Sequence, residues 1–381
     1  MEKFWSPRGR ASLSSRVILG ATLLIASAAT LAAPTVSQVQ GPLDHNGSIT
    51  ITGSGFGSKA SGAPWIWDNA TAGKLKDVWG DAWPNQLPGY NTGYYPPMRG
   101  VSPPHSHDAR LIAGAHAANT GAYSGYMVMM FKSLYLPTFP CTFYASWYQL
   151  ADKEWHFGGD NNFKTFDYSE GGNPYASGSW YTAYGPPHPG SSSDTNAQWV
   201  NETDTPLKNP DLNGHNAWWG KAVNPMAGKW SKVEIAFKAT DQSDGYINVW
   251  ENGKLVMWYR GPTDTYSGTL RTIGVGGYGR MQGYTTNWRY FQDVYVDATL
   301  QRVVLADKPV LSDASIIEVQ IPVTWSDGSI TATVNLGKFN QGETAYLFVV
   351  DASGNPSAKG YTVTAGGTAS APSAPASFQV H

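Results

Sequence analysis

The chain has a single cysteine, Cys141, among 381 residues. No disulfide can form within it, so apolar burial has to hold the fold together. Charge is scarce as well: charged residues make up 14% of the chain against 41% hydrophobic. That excludes a disordered chain, which is rich in charge and poor in aromatics. Heptads of Ala, Glu, Lys and Leu are missing, and glycine does not recur at every third place, which excludes coiled coil and collagen. No convincing helical pattern follows the first 33 residues, and there is only one long apolar run, Val17 to Leu31. What the chain has in abundance is rings and turns, with 16 Trp, 21 Tyr, 42 Gly and 25 Pro.

Residues 1–33 begin with Lys3, Arg8, Arg10 and Arg16, continue through the apolar run, and end in Ala32 and Ala33. This is the pattern of a secretory signal peptide, and the run is short for a membrane span. Removal near Pro34 takes away four basic residues and Glu2, moving the net charge from −2 to −5. No basic surface for nucleic acid is visible, and no membrane span is expected after signal removal. The expectation is a secreted protein, extracellular or periplasmic. One cysteine fits bacterial export at least as well as eukaryotic export.

The rest reads as strand. Ser231 to Phe237 alternates, with Val233, Ile235 and Phe237 on one face and Lys232, Glu234 and Ala236 on the other, which predicts a half-buried strand. Asn252-Gly253 between Tyr246–Trp250 and Lys254–Tyr259 predicts a tight hairpin. Further strands are expected over Met127–Leu134, Thr142–Leu150, Phe163–Tyr168, Thr269–Val275 and Trp288–Asp297. Many short strands with Gly, Pro and Asn turns make the expected fold class all-β, a sandwich or jelly roll. All tryptophans except Trp5 and Trp325 lie between Trp65 and Trp288. The segments flanking that body offer two strands at one end and about four at the other, and two strands cannot bury a core alone. The expected organisation is therefore one small sandwich built from residues 34–58 and 311–366, a large body over 59–310 between them, and a flexible tail over 367–381. Two independent small modules are the alternative.

Ile49-Thr-Ile-Thr-Gly-Ser-Gly-Phe-Gly57 resembles the opening strands of IPT/TIG immunoglobulin-like domains, and Ile316 to Val363 resembles the remaining strands. Gly228-Lys-Trp-Ser-Lys-Val-Glu-Ile-Ala-Phe237, with Asp244-Gly-Tyr-Ile-Asn-Val-Trp-Glu-Asn-Gly-Lys254, resembles the concanavalin A-like jelly rolls of laminin-G domains, lectins and polysaccharide lyases. The resemblance implies an all-β chain with a concanavalin A-like jelly-roll sandwich plus a small Ig-like β-sandwich. Members of that superfold bind or cleave glycans, and fold alone does not decide which.

Flat aromatic faces stack on sugar rings, and neighbouring amides and charges read the hydroxyls. Aromatics interleaved with such groups select Trp147, Gln149, Asn162, Lys164, Tyr246, Asn248, Trp250 and Arg289 as substrate-binding candidates. If Ile247 and Val249 face the core, Tyr246, Asn248 and Trp250 project from the opposite side. The paired-carboxylate strand motif of a retaining glycoside hydrolase is absent. A lyase needs a base and a group that neutralises a uronic carboxylate, and His156, Lys164 and Arg289 supply those types. The Gln-Ile-His and Tyr-Phe-Lys-X-Gly-X-Tyr motifs of alginate lyases are missing.

The function expected is binding of a polysaccharide partner, with no cofactor required. A β-eliminating lyase on a uronic-acid glycan is the alternative, and a structural or adhesive surface protein the second. His105-Ser-His107-Asp108, with His116 downstream, has the look of a metal cluster, but Pro103-Pro104 argues for a loop, and surface or loop histidines are the favoured reading. Glycan-binding jelly rolls resemble one another in a structural calcium, for which Asp68 and Asp293 are the candidate oxygen ligands. Gly274-Val-Gly-Gly-Tyr-Gly279 spells a dinucleotide fingerprint but has no helix after it, so it is rejected.

Overall fold

The computed structural model describes residues 33–71, 78–79, 81–83, 101–108, 112–117, 126–135, 140–151, 162–170, 180–185, 198–203, 216–218, 228–263, 270–280 and 286–369. The expected signal segment, most of the tail and His156 lie outside them. Helical geometry among the described residues is confined to Val78–Trp79 and a 3-10 turn at Leu311–Asp313.

The strands begin with β1 (Thr35–Pro42), β2 (Ser48–Ser54), β3 (Ile66–Asp68), β4 (Asp81–Trp83), β5 (Ile112–Ala117), β6 (Tyr126–Tyr135), β7 (Cys141–Ala151) and β8 (Asn162–Glu170). Next come β9 (Trp180–Gly185), β10 (Gln198–Thr203), β11 (Asn216–Trp218), β12 (Ser231–Ala239), β13 (Tyr246–Glu251), β14 (Lys254–Arg260), β15 (Leu270–Arg280) and β16 (Thr286–Asp297). The chain closes with β17 (Arg302–Ala306), β18 (Ile317–Val319), β19 (Ile321–Trp325), β20 (Ser329–Thr333), β21 (Thr344–Val350), β22 (Tyr361–Thr364) and β23 (Thr368–Ala369). Every ladder between them is antiparallel.

Four sheets result. An outer seven-stranded sheet runs β11-β10-β9-β8-β15-β6-β4, and a central one runs β14-β13-β12-β7-β16-β3 with β5 also on β16. Trp147 of β7 stacks on Phe166 of β8 at 6.1 Å and 9°, which fixes where the inner faces of these two sheets meet. A four-stranded sheet runs β18-β17-β21-β22 and a five-stranded one β19-β20-β2-β1-β23, so strands from the two ends of the chain share a sheet. Val39, Ile49 and Ile51 from the five-stranded sheet pack on Val303, Leu305, Leu347 and Val349 from the four-stranded one.

The alternate residues of the same strands build a second core. Val304, Ala306 and Phe348 pack instead on Tyr144, Ala236 and Tyr295 of the central sheet. Strand β17 is thus buried on both faces, which is why Arg302-Val-Val-Leu-Ala306 reads as a continuous apolar run rather than an alternating one. The same covering corrects the expectation for β12: Lys232, Glu234 and Ala236 are buried as well as the apolar face. Their polar heads are satisfied inside the layer junction. Glu234 accepts the Tyr144 hydroxyl, and Lys232 Nζ donates to Glu318 Oε2 at 2.5 Å. The hydroxyl of Tyr148 and the Lys338 amide also donate to the wholly buried Glu318. A buried carboxylate is tolerated only with such a complete set of donors.

Candidate functional site

Strands β13 and β14 lie at one end of the central sheet, β14 outermost, and the four-stranded layer reaches Tyr246 and Trp250 of β13. The Asn252-Gly253 turn has positive φ at both residues, 51° and 75°, the geometry that Asn-Gly supplies in a two-residue hairpin. Ile247 and Val249 face the core, and Tyr246, Asn248 and Trp250 are half-buried on the opposite face. Next to the turn Trp250 stands opposite Leu255. A register shift between Val249 and Trp250 then places Trp258 opposite Asn248 and Arg260 opposite Tyr246.

Trp258 is 57% exposed and Leu255 45%; of the large exposed apolar side chains among the described residues, Trp258 alone is aromatic. Arg260 donates to Asn248 Oδ1 at 2.8 Å and its guanidinium lies 5.2 Å from the Tyr246 ring centroid. Burial raises the Tyr246 pKa, with Arg260 and Arg302 opposing. The phenol is therefore a neutral hydrogen-bonding group at ordinary pH. Ring, amide and guanidinium thus share one ledge, with an exposed indole at its outer edge.

The other predicted residues fall elsewhere. Trp147 and Gln149 are wholly buried between the two seven-stranded sheets, and Trp147 Nε1 donates to Gln149 Oε1 at 3.1 Å. This corrects the expectation that they contact substrate: they are core, with the indole's one donor satisfied. Tyr246 and Trp250 pack partly against the core below the four-stranded layer, so their face is a ledge beside that layer rather than an open sheet. Asn162 and Lys164 lie on β8 of the outer sheet, whereas Arg289 lies on β16 of the central sheet. Asn162 pairs with Arg280 and Arg289 with Ala151 and Gly114, so the ladders do not bring Lys164 and Arg289 together.

Asp68 and Asp293 are likewise not joined as a ligand pair. Asp68 accepts Trp79 Nε1 and the Ala70 amide, at 2.8 Å each, one on each oxygen. Asp293 sits instead at a bulge of β16, with φ 51°, where the register with β7 shifts between Gln292 and Tyr295. The bulge turns its carboxylate toward the 101–108 loop, where His105 Nε2 lies 2.9 Å from Asp293 Oδ2. Asn335 donates to the same oxygen at 3.1 Å. His105 is buried, so the expectation of surface histidines fails there, although the segment is a loop as expected.

Burial works against a charged His105, yet the hydrogen bond and charge of Asp293, with Glu318 and Asp108 behind it, outweigh burial and raise its pKa. Burial also pushes Asp108 up, and His45, His105 and Asn69 together bring it below the usual carboxylate value. The His45 ring stacks on His107 at 5.0 Å, and its Nε2 lies 3.3 Å from Asp108 Oδ2.

No protein-family model matches the chain, and no curated protein matches it. Among solved structures it is similar to alginate lyase Aly36B, with 12% identity over 69% of this chain and 98% of that one, at a TM-score of 0.40. It is also similar to the alginate lyase vAL-1 from Chlorella virus, with 15% identity over 51% and 87% of the two chains and a TM-score of 0.37. An endo-β-1,4-glucuronan lyase from the fungus Trichoderma reesei matches with 14% identity over 52% and 86%, at 0.35. Superpositions this loose carry no functional inference to this chain.

Proposed function

We propose that this chain is an exported polysaccharide-binding protein whose glycan rests on the β13–β14 ledge. The observation that carries the reading is Trp258, 57% exposed and in register with Asn248, beside Arg260 and Tyr246. A lone exposed apolar side chain is ordinary on a protein surface, and what distinguishes Trp258 is the company of Asn248, Arg260 and Tyr246 on the same ledge. The apolar C–H face of a sugar ring suits it, while Asn248 and Arg260 supply hydroxyl-reading groups at the ring's edge. Because Asn248 and Arg260 hold each other, the polar part of the ledge is ordered before ligand arrives, which lowers the entropy lost on binding. Stacking and hydroxyl recognition need no cofactor.

In the same reading the two seven-stranded sheets are the jelly roll, and the five- and four-stranded sheets are an Ig-like support that braces the ledge from the side. The test is incubation of the mature protein with a panel of uronic and neutral polysaccharides, following retention and the ultraviolet absorbance of unsaturated chain ends together. Retention without product is the expected result. Accumulation of unsaturated ends would replace binder by lyase, and neither signal on any glycan would overturn the carbohydrate reading.

A further inference from the structure

Around the 101–108 loop His105 Nδ1 and Asp293 Oδ1 are buried without a hydrogen-bond partner, and His45 Nε2 and Asp108 Oδ2 have only each other, at 3.3 Å. Buried polar atoms are nearly always satisfied, so several orphans in one place indicate a missing ligand. His105, Asp108 and Asp293 are each more than nine-tenths buried, and each brings one ligand atom to within 4.8 Å of the others. Both carboxylates lack a lysine or arginine among their described partners. Asp108 has Asn69 and His45, and Asp293 has His105 and Asn335. The nearby Lys232 is engaged by Glu318. Two buried carboxylates whose only basic neighbours are imidazoles form a site that a divalent cation would neutralise.

We propose that His105, Asp108 and Asp293 bind one divalent transition-metal ion of the zinc class, pinning the 101–108 loop to the bulge of β16. The imidazole decides the class, since calcium takes shells of oxygen while zinc accepts nitrogen and carboxylate together. The flanking amides orient the ligands. Asn69 holds Asp108 Oδ1 and leaves Oδ2 facing only His45, and Asn335 holds Asp293 Oδ2 and leaves Oδ1 open. His45 has a different part. Its Nδ1 accepts the Leu336 amide at 3.4 Å, which puts the ring proton on Nε2 and aims a donor at Asp108. Ligand atoms on a tetrahedral zinc at ~2.0–2.1 Å stand about 3.4 Å apart. Binding therefore draws the three residues inward only modestly, and none has to cross the core.

The native protein, stripped with chelator, reloaded with zinc alone and freed of excess, is expected to retain one equivalent and to melt several degrees higher than the stripped form. Calcium should give neither effect. Asp108→Asn and Asp293→Asn should each lose the retained ion, while His116→Ala, on β5 away from the cluster, should keep it. Should both carboxylate variants fail to fold, the zinc X-ray absorption spectrum of the loaded native protein decides: imidazole and carboxylate ligands in the first shell are expected. A shell lacking either, no retained zinc, or retention unchanged in a folded Asp108→Asn variant would overturn the site.

Discussion

Lys59 Nζ lies 2.5 Å from Asp297 Oδ2, with both side chains 4% exposed, so this ion pair is shielded from water where the segment after β2 meets the end of β16. The Tyr295 hydroxyl donates to the same oxygen at 2.8 Å. Burial nevertheless dominates and pushes Asp297 up to about 6, with Lys59 opposing. The folded carboxyl therefore takes up its proton at a higher pH than the unfolded one. Stability from this group is fully present below about pH 4 and is lost as pH rises through about 6, by at most ~3 kcal/mol. Urea unfolding of the native protein and of Asp297→Asn should show their stability difference shifting by ~2 kcal/mol between pH 4.5 and 7; a constant difference would refute the assignment. At neutral pH Lys59→Met should cost ~3–5 kcal/mol by stranding the carboxylate, and Lys59→Met with Asp297→Asn should cost less than the single change.

Gly337 marks a second tight junction. It has φ 51°, and a Cβ there would lie 2.2 Å from Glu318 Cδ, the buried carboxylate that Tyr148, Lys232 and the Lys338 amide hold. Gly228 has a similar φ, 64°, with nothing within 4 Å of a Cβ. Gly228→Ala therefore measures conformational strain alone, ~1–2 kcal/mol. Gly337→Ala adds the displacement of a fixed buried group and should cost distinctly more in the same urea titration. Equal losses would mean that Glu318 moves aside freely.

The two tryptophans at opposite ends of the burial scale should separate cleanly in thermal unfolding. Trp147→Ala removes a wholly buried indole stacked on Phe166 and should cost ~3–5 kcal/mol. Trp258→Ala removes an exposed one and should change stability by less than about 0.5 kcal/mol.

Which parts of this were legible depends on the period of the pattern. Alternation placed Ile247 and Val249 in the core, and Asn252-Gly253 marked its turn, because both signals are local. Trp147 could not be told from a surface ring, since nothing in its neighbourhood says that an outer sheet closes over β7. Lys232 and Glu234 looked like a solvent face because a buried lysine is unusual, and only partners as distant as Glu318 make it tolerable. Trp258 was missed for a sharper reason. Counting back from the turn with unbroken parity puts Met257, not Trp258, opposite Asn248, and the register shift at Val249 and Trp250 moves the register by one. A second bulge, at Asp293, brings that carboxylate to His105 across 188 positions of sequence, and no spacing rule reports such a contact.

The most direct test of the glycan ledge is retention on whichever polysaccharide the native protein binds, compared between native protein and Trp258→Ala at equal melting temperature. Loss of a stacked ring should weaken affinity about ten-fold, ~1.4 kcal/mol, with folding untouched. Unchanged affinity in a fully folded Trp258→Ala variant would contradict the account.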